Sequence, residues 1–219
     1  MEYCERLGVG FWAEPFNALT NAAFLITALL LFRLLRYRQQ DDVSWEIYIL
    51  VLLIASVGLG SFLWHTLATQ WAELADKLPI FAFMLVYFSS YMARVLRLTW
   101  FWVLFWIVLF LLLNVAVKLS LPVDLFNGSI MYLPALLALL MMAFASFRQR
   151  RSGAMIIFAL TGLFCVAVMF RSVDQLLCDS FSLGSHFVWH LLNAVMLYWL
   201  MRVLINRAHN TCQPDFRSI

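Results

Sequence analysis

Ile47-Tyr48-Ile49-Leu50-Val51-Leu52-Leu53-Ile54-Ala55-Ser56-Val57-Gly58-Leu59-Gly60-Ser61-Phe62-Leu63-Trp64 runs for 18 residues without one Asp, Glu, Lys or Arg. A helix crosses the roughly 30 Å hydrocarbon core of a bilayer with about 20 mostly apolar residues. With its flanks this run is long enough to cross. Six more runs share the property: Phe16–Phe32, Leu78–Ala93, Leu98–Val117, Leu125–Phe147, Ser152–Phe170 and Ser180–Met201. Across all 219 residues 64 % are hydrophobic and 12 % charged, with a mean hydropathy of +0.88. Soluble domains carry roughly 25 % charged residues. The composition therefore excludes a soluble domain, a disordered chain and a nucleic-acid binder. The short alternating segments of a β-barrel are absent. The expectation is an all-α membrane protein, a seven-transmembrane-helix bundle forming one domain over residues 1–219. Its helices are expected near 15–36, 45–67, 77–94, 98–118, 125–147, 152–171 and 183–204.

The basic residues orient such a bundle. The first, third and fifth gaps and the C-terminal tail hold Arg33, Arg36, Arg38, Arg94, Arg97, Arg148, Arg150, Arg151, Arg202, Arg207 and Arg217. The N-terminus and the other gaps hold only Arg6, Lys77, Lys118 and Arg171. The N-terminus is expected outside, in a periplasm or lumen, and the C-terminus in the cytoplasm. Acidic residues before the first run and arginines after it are the reverse of a signal peptide.

Ionisable groups at membrane depth are costly and are functional candidates by default. With this orientation Ser61, His65, Asp76, His186 and His190 come from three separate stretches and share the outer part of the bilayer. His186 and His190 are four apart, so both rings project from one helix face. A helical His pair at this spacing can hold one metal ion. A third His from another helix gives the three-imidazole pattern of catalytic zinc with one open position. Such a pair on a single helix does not suit haem, whose two His ligands usually come from opposing helices. Ser61 lies one turn below His65 and faces the same way, or serves as a small residue at a close helix contact. Asp76 could instead cap the helix that follows it.

Glu2, Tyr3, Glu5 and Glu14 precede the first run, and Asn17 and Asn21 lie at its start. Carboxylates and carbonyls clustered in a loop suit a hard cation such as Ca²⁺; a solvated acidic flank gives the same composition. Cys4 and Cys178 both fall on the oxidising side. They would either pair, pinning the strip to the loop before His186, or stay as free thiols. Cys165 reads as a small apolar residue in mid-helix, and Cys212 as a reduced thiol in the tail.

The ordered set resembles the alkaline ceramidases, within the wider superfamily of seven-helix membrane hydrolases that includes the adiponectin receptors. The matching pieces are Cys4-Glu5, Ala13-Glu14-Pro15-Phe16-Asn17 with Asn21, and Gly58 to Leu67. Asp76-Lys77-Leu78-Pro79, Phe170-Arg171-Ser172-Val173-Asp174 with Cys178, and His186-Phe187-Val188-Trp189-His190 complete it. The chain differs from the family's eukaryotic Asp-Trp-Cys-Glu opening and nearby Asn, carrying Glu2-Tyr3-Cys4-Glu5 followed by Arg6 and Leu7. The resemblance implies a zinc-dependent amidase that cleaves the N-acyl bond of ceramide or a related membrane lipid. It implies zinc ligands at His65, His186 and His190, catalytic roles for Ser61 and Asp76, and a Cys4–Cys178 disulfide. It also implies a calcium site from Glu2, Glu5, Glu14 and Asn17 with the Tyr3 carbonyl. The sequence suggests no nucleic acid and no obligatory protein partner. The competing readings are a lipid-binding receptor or sensor on the same scaffold and a hydrolase of another acyl lipid.

Overall fold

The computed structural model describes residues 3–37, 44–122, 124–151 and 153–210. Glu2, Arg38, Cys212 and Arg217 lie outside the described residues. Among the described residues eight α-helices follow one another: α1 Pro15–Thr20, α2 Ala22–Tyr37, α3 Trp45–Leu67, α4 Gln70–Arg94, α5 Trp100–Ser120, α6 Leu133–Arg148, α7 Ala154–Val173 and α8 His186–Asn210. Short 3₁₀ turns at Ser129–Tyr132 and Asp174–Leu177 precede α6 and follow α7. The described residues contain no strand.

Each boundary has a local cause. Pro15 opens α1 at a position where its missing N–H costs nothing. The chain then breaks at Asn21, and α1 and α2 together run 23 residues from Pro15 to Tyr37. Ala68 closes α3 in the left-handed conformation at φ 47°. Phe126, Asn127 and Gly128 all have positive φ, so no helix passes through the sequence before Ser129. The fifth expected helix is therefore shorter than 125–147, because α6 begins at Leu133.

The third expected helix differs most. It was expected from about 77, after the charged residues, but α4 begins at Gln70. Glu73 and Lys77 are four apart and form an ion pair along its surface, the spacing at which such pairs stabilise a helix. Asp76 is thus an interior residue of α4 and not its cap.

Six helical segments among the described residues are long and apolar enough to cross a membrane; α4, with its charged first turns, stands apart from them. Their outward faces are apolar. On α5 only Val103, Phe110 and Val117 are buried, one stripe at seven-residue intervals, while Trp100, Leu104, Leu112 and Leu119 are exposed. Apolar surface on this scale marks contact with lipid. Inside, α3 packs against α2 and α4, and α8 against α7, α2 and α4. Across that core the Tyr87 hydroxyl donates to the Leu200 carbonyl (2.9 Å) and Tyr91 and Ser146 share a hydrogen bond (2.7 Å). Most of the buried polar residues gather instead where α3 ends and α8 begins. Glu5, Glu14, Asn17, Asn21, Ser61, His65, Asp174, Ser185, His186 and His190 are all found there.

Candidate metal centre

His65 stands in the last turn of α3, and His186 and His190 in the first turns of α8. All three are at most 2 % exposed. Their ring centroids are 5.2 Å (His65–His186), 4.9 Å (His65–His190) and 4.6 Å (His186–His190) apart. One nitrogen from each lies within 4.8 Å of the others. Three imidazoles this close, all buried, form a donor set that could hold a metal ion.

The start of α8 is placed by residues far away in the sequence. Asp174 is fully buried, and its Oδ1 accepts the backbone N–H groups of Ser185 (2.6 Å) and His186 (2.9 Å). It caps α8 from outside that helix, satisfying two of the N–H groups a helix start leaves free. Its other oxygen accepts the N–H of Cys4 (3.0 Å). Gly184 allows the approach: its φ is +62°, and a Cβ there would lie 2.2 Å from Asp174 Oδ1. Cys4 and Cys178 form a disulfide with an S–S distance of 2.01 Å, which ties the N-terminal strip to the same corner.

That strip covers the histidines. Tyr3 stacks on His186 at a centroid distance of 4.0 Å. Glu14 Oε2 accepts a hydrogen bond from His65 Nδ1 at 2.5 Å. Thr20 Oγ1 donates to the Phe16 carbonyl (2.7 Å), so it accepts from His190 Nδ1 at 3.0 Å. With Nδ1 engaged in this way, Nε2 is the nitrogen that His65 and His190 can each turn to a metal, as outer-shell partners arrange at metal sites. His186 Nδ1 is buried with no hydrogen-bond partner. A buried polar atom without a partner is expensive, and a metal ion would relieve it.

The two acids of the strip have partners of their own. Glu14 Oε1 accepts from Arg6 Nε, and its Oε2 also accepts from Asn17 Nδ2 (3.0 Å). Burial alone would lift the Glu14 carboxyl, but its bonds to His65, Asn17 and Arg6 outweigh that and hold it below the usual range. Glu5 accepts the backbone N–H groups of Phe16 (2.6 Å) and Asn17 (2.8 Å). Burial pushes its carboxyl up despite those two bonds.

Ser61 and Asp76 face each other across α3 and α4, close enough for their side chains to interact. Two residues make this contact. Pro79 has no N–H, so the Ala75 carbonyl lacks its partner within α4. Gly60 lets α3 come down on that carbonyl; a Cβ there would lie 2.0 Å from Ala75 O. Asp76 interacts electrostatically with His65 and Arg171. The Arg171 guanidinium lies over the rings of Tyr3 and Tyr132, 5.7 Å from each centroid.

Below the polar cluster an apolar cavity of about 810 Å³, counting its open mouth, runs down the bundle. Val57, Ile80 and Asn193 line it, each one turn deeper than Ser61, Asp76 and His190 respectively. Phe83, Met196 and Leu200 line its length.

The fold therefore brings His65, His186, His190, Ser61, Asp76, Tyr3, Glu5, Glu14 and Asn17 to one end of the molecule; Glu2 lies outside the described residues. Sequence reasoning passed over Thr20, Arg6 and Asp174 as working parts. Asp174 carried a signal, since a charged residue at the end of a long apolar run needs a partner. Thr20 carried none. No curated protein matches the chain. The family model described as Ceramidase matches residues 1–217.

Proposed function

The chain belongs to the ceramidase family, and on that premise we propose that it is a zinc-dependent intramembrane amidase of ceramide or a closely related lipid. The family points to hydrolysis of an amide bond in a lipid substrate. In this reading residues 1–219 form one membrane domain in which α4 crosses alongside the six more apolar segments. The basic residues put the N-terminus and the site on the outer side and the C-terminus in the cytoplasm.

His65, His186 and His190 would hold the zinc. The observation that carries the proposal is their convergence, buried, directly above an apolar cavity. Bound zinc supplies Lewis acidity, polarising a carbonyl and making water a nucleophile near neutral pH. The protein's own groups do the rest. Glu14 and Thr20 hold two of the imidazoles in the tautomer that leaves Nε2 for the metal. Asp76 takes the proton from the attacking water and passes it to the leaving amine nitrogen, as a general base and then a general acid. The Ser61 hydroxyl, held beside Asp76 until substrate arrives, donates to the oxyanion that develops on the carbonyl oxygen. The cavity takes one hydrocarbon chain of the substrate, which need not leave the bilayer. Water adds across the C–N bond and the products are a fatty acid and a sphingoid base.

The test is the metal content of detergent-purified protein, alongside His65→Ala and His186→Ala, with release of fatty acid from ceramide followed in parallel. About one zinc per chain in wild type, lost from both variants together with turnover, is the expected result. Wild type without zinc, purified with no chelator, would overturn the metal assignment. Zinc present with cleavage of other acyl lipids and none of ceramide would move the substrate instead.

A further inference from the structure

Arg6 is the single Lys or Arg between Tyr3 and Pro15. Its side chain is 15 % exposed and makes two contacts. Nε pairs with Glu14 Oε1. Nη2 donates to the backbone carbonyl of His65 at 2.9 Å. Glu14 Oε2 in turn accepts from His65 Nδ1. The three residues close a ring in which His65 is held twice, by its imidazole through Glu14 and by its carbonyl through Arg6.

Both contacts have a physical reason. The His65 carbonyl belongs to the last turn of α3, where carbonyls lack partners within the helix and a cation complements the dipole. Glu14 is 2 % exposed, and a buried carboxyl group is costly without a partner of opposite charge, which Arg6 supplies. Glu14 Oε2 is the atom that meets His65 Nδ1. Clustered loop carboxylates ordinarily suit a hard divalent cation; here the positive charge among them comes from the chain. Asn17 Oδ1, on the residue that donates to Glu14, is buried with no partner.

We infer that Arg6 is a positioning residue, an internal cation that keeps Glu14 on His65 and makes this metal ligand independent of added calcium. The inference rests on the three-histidine metal reading above. Full-length wild type, Arg6→Ala and Arg6→Lys are purified in detergent and checked for a single monodisperse species. Zinc affinity is read by competition with a chromogenic chelator, with and without millimolar Ca²⁺. Calcium binding is read separately by equilibrium dialysis with Ca²⁺ alone. Wild type should bind zinc equally with or without Ca²⁺ and should retain no calcium.

Arg6→Ala should lose about 10–100-fold in zinc affinity, the usual cost of losing an outer-shell partner. Arg6→Lys, which keeps the charge without the fork, should recover part of it. Arg6→Ala should also gain calcium, because Glu5, Glu14 and Asn17 Oδ1 then surround an uncompensated space. Calcium bound by wild type, or unchanged zinc affinity in Arg6→Ala, overturns the inference. Wild type that binds no zinc defeats the metal reading, and the calcium arm still decides the role of Arg6: no gain of calcium in Arg6→Ala overturns it.

Discussion

Ser61 has one hydroxyl and two neighbours that could use it, Asp76 and an incoming carbonyl. It contributes nothing to the histidine cluster, so its removal separates chemistry from metal binding. Ser61→Ala is expected to keep its zinc and to lose about 10²–10³ in turnover, the usual cost of one oxyanion donor. Zinc assay beside a ceramide turnover assay checks it, and a loss of zinc in this variant would count against the assigned role. At this scale His186 and His190 were legible from their spacing, because i and i+4 on a helix share a face wherever the helix lies, and His65 from its shared depth in the bilayer. Their second partners were not. Thr20 lies 170 residues from His190 and Glu14 lies 51 from His65, and no local pattern links residues so far apart. Glu14 was read as a candidate calcium ligand on composition; its hydrogen bonds go to His65, Arg6 and Asn17.

Between α3 and α4, close packing rests on one glycine and one proline. Gly60→Val would drive a side chain into the Ala75 backbone, which a flexible neighbour cannot accommodate. Overpacking of this kind costs about 1–3 kcal/mol or more, and it would part Ser61 from Asp76. The expected outcome is a lower thermal midpoint together with loss of turnover; a variant as stable and active as wild type would refute the contact. The cavity along α8 allows a milder test. Met196 lines it, two turns below the histidines, and Met196→Trp would fill space there. Zinc content should hold while turnover falls most for long-chain substrates, as read from a chain-length series. Helix positions were legible to within a few residues from charge-free length, except that α6 begins at Leu133 and not near 125, where the positive φ values at 126–128 break the helix. The start of α4 was not, since its Glu73–Lys77 pair lets charged residues join a helix that apolar content alone would begin later.

Over the described residues the outward faces are largely apolar and the buried ionisable groups gather at one end, the arrangement lipid demands. The N-terminal strip holds that end closed through the Cys4–Cys178 disulfide, which joins residues 174 apart. Replacing both cysteines by Ala should lower the thermal midpoint and speed zinc loss to chelator, since losing a native disulfide typically costs about 2–5 kcal/mol in a small domain. Unchanged zinc retention would show that Arg6 and Asp174 hold the strip without it. The sequence by itself determined the all-helical membrane class, six of the apolar spans, the three histidines and the family. Those rest on composition, on charge-free length, on spacing and shared depth of the histidines, and on motifs in order along the chain. Only the tertiary structure decided that Arg6 pairs with Glu14, that Glu14 and Thr20 orient imidazoles, and that Asp174 caps α8. Those are hydrogen bonds between groups brought together by packing, and they form because a buried charge or helix end must find a partner wherever the fold places one.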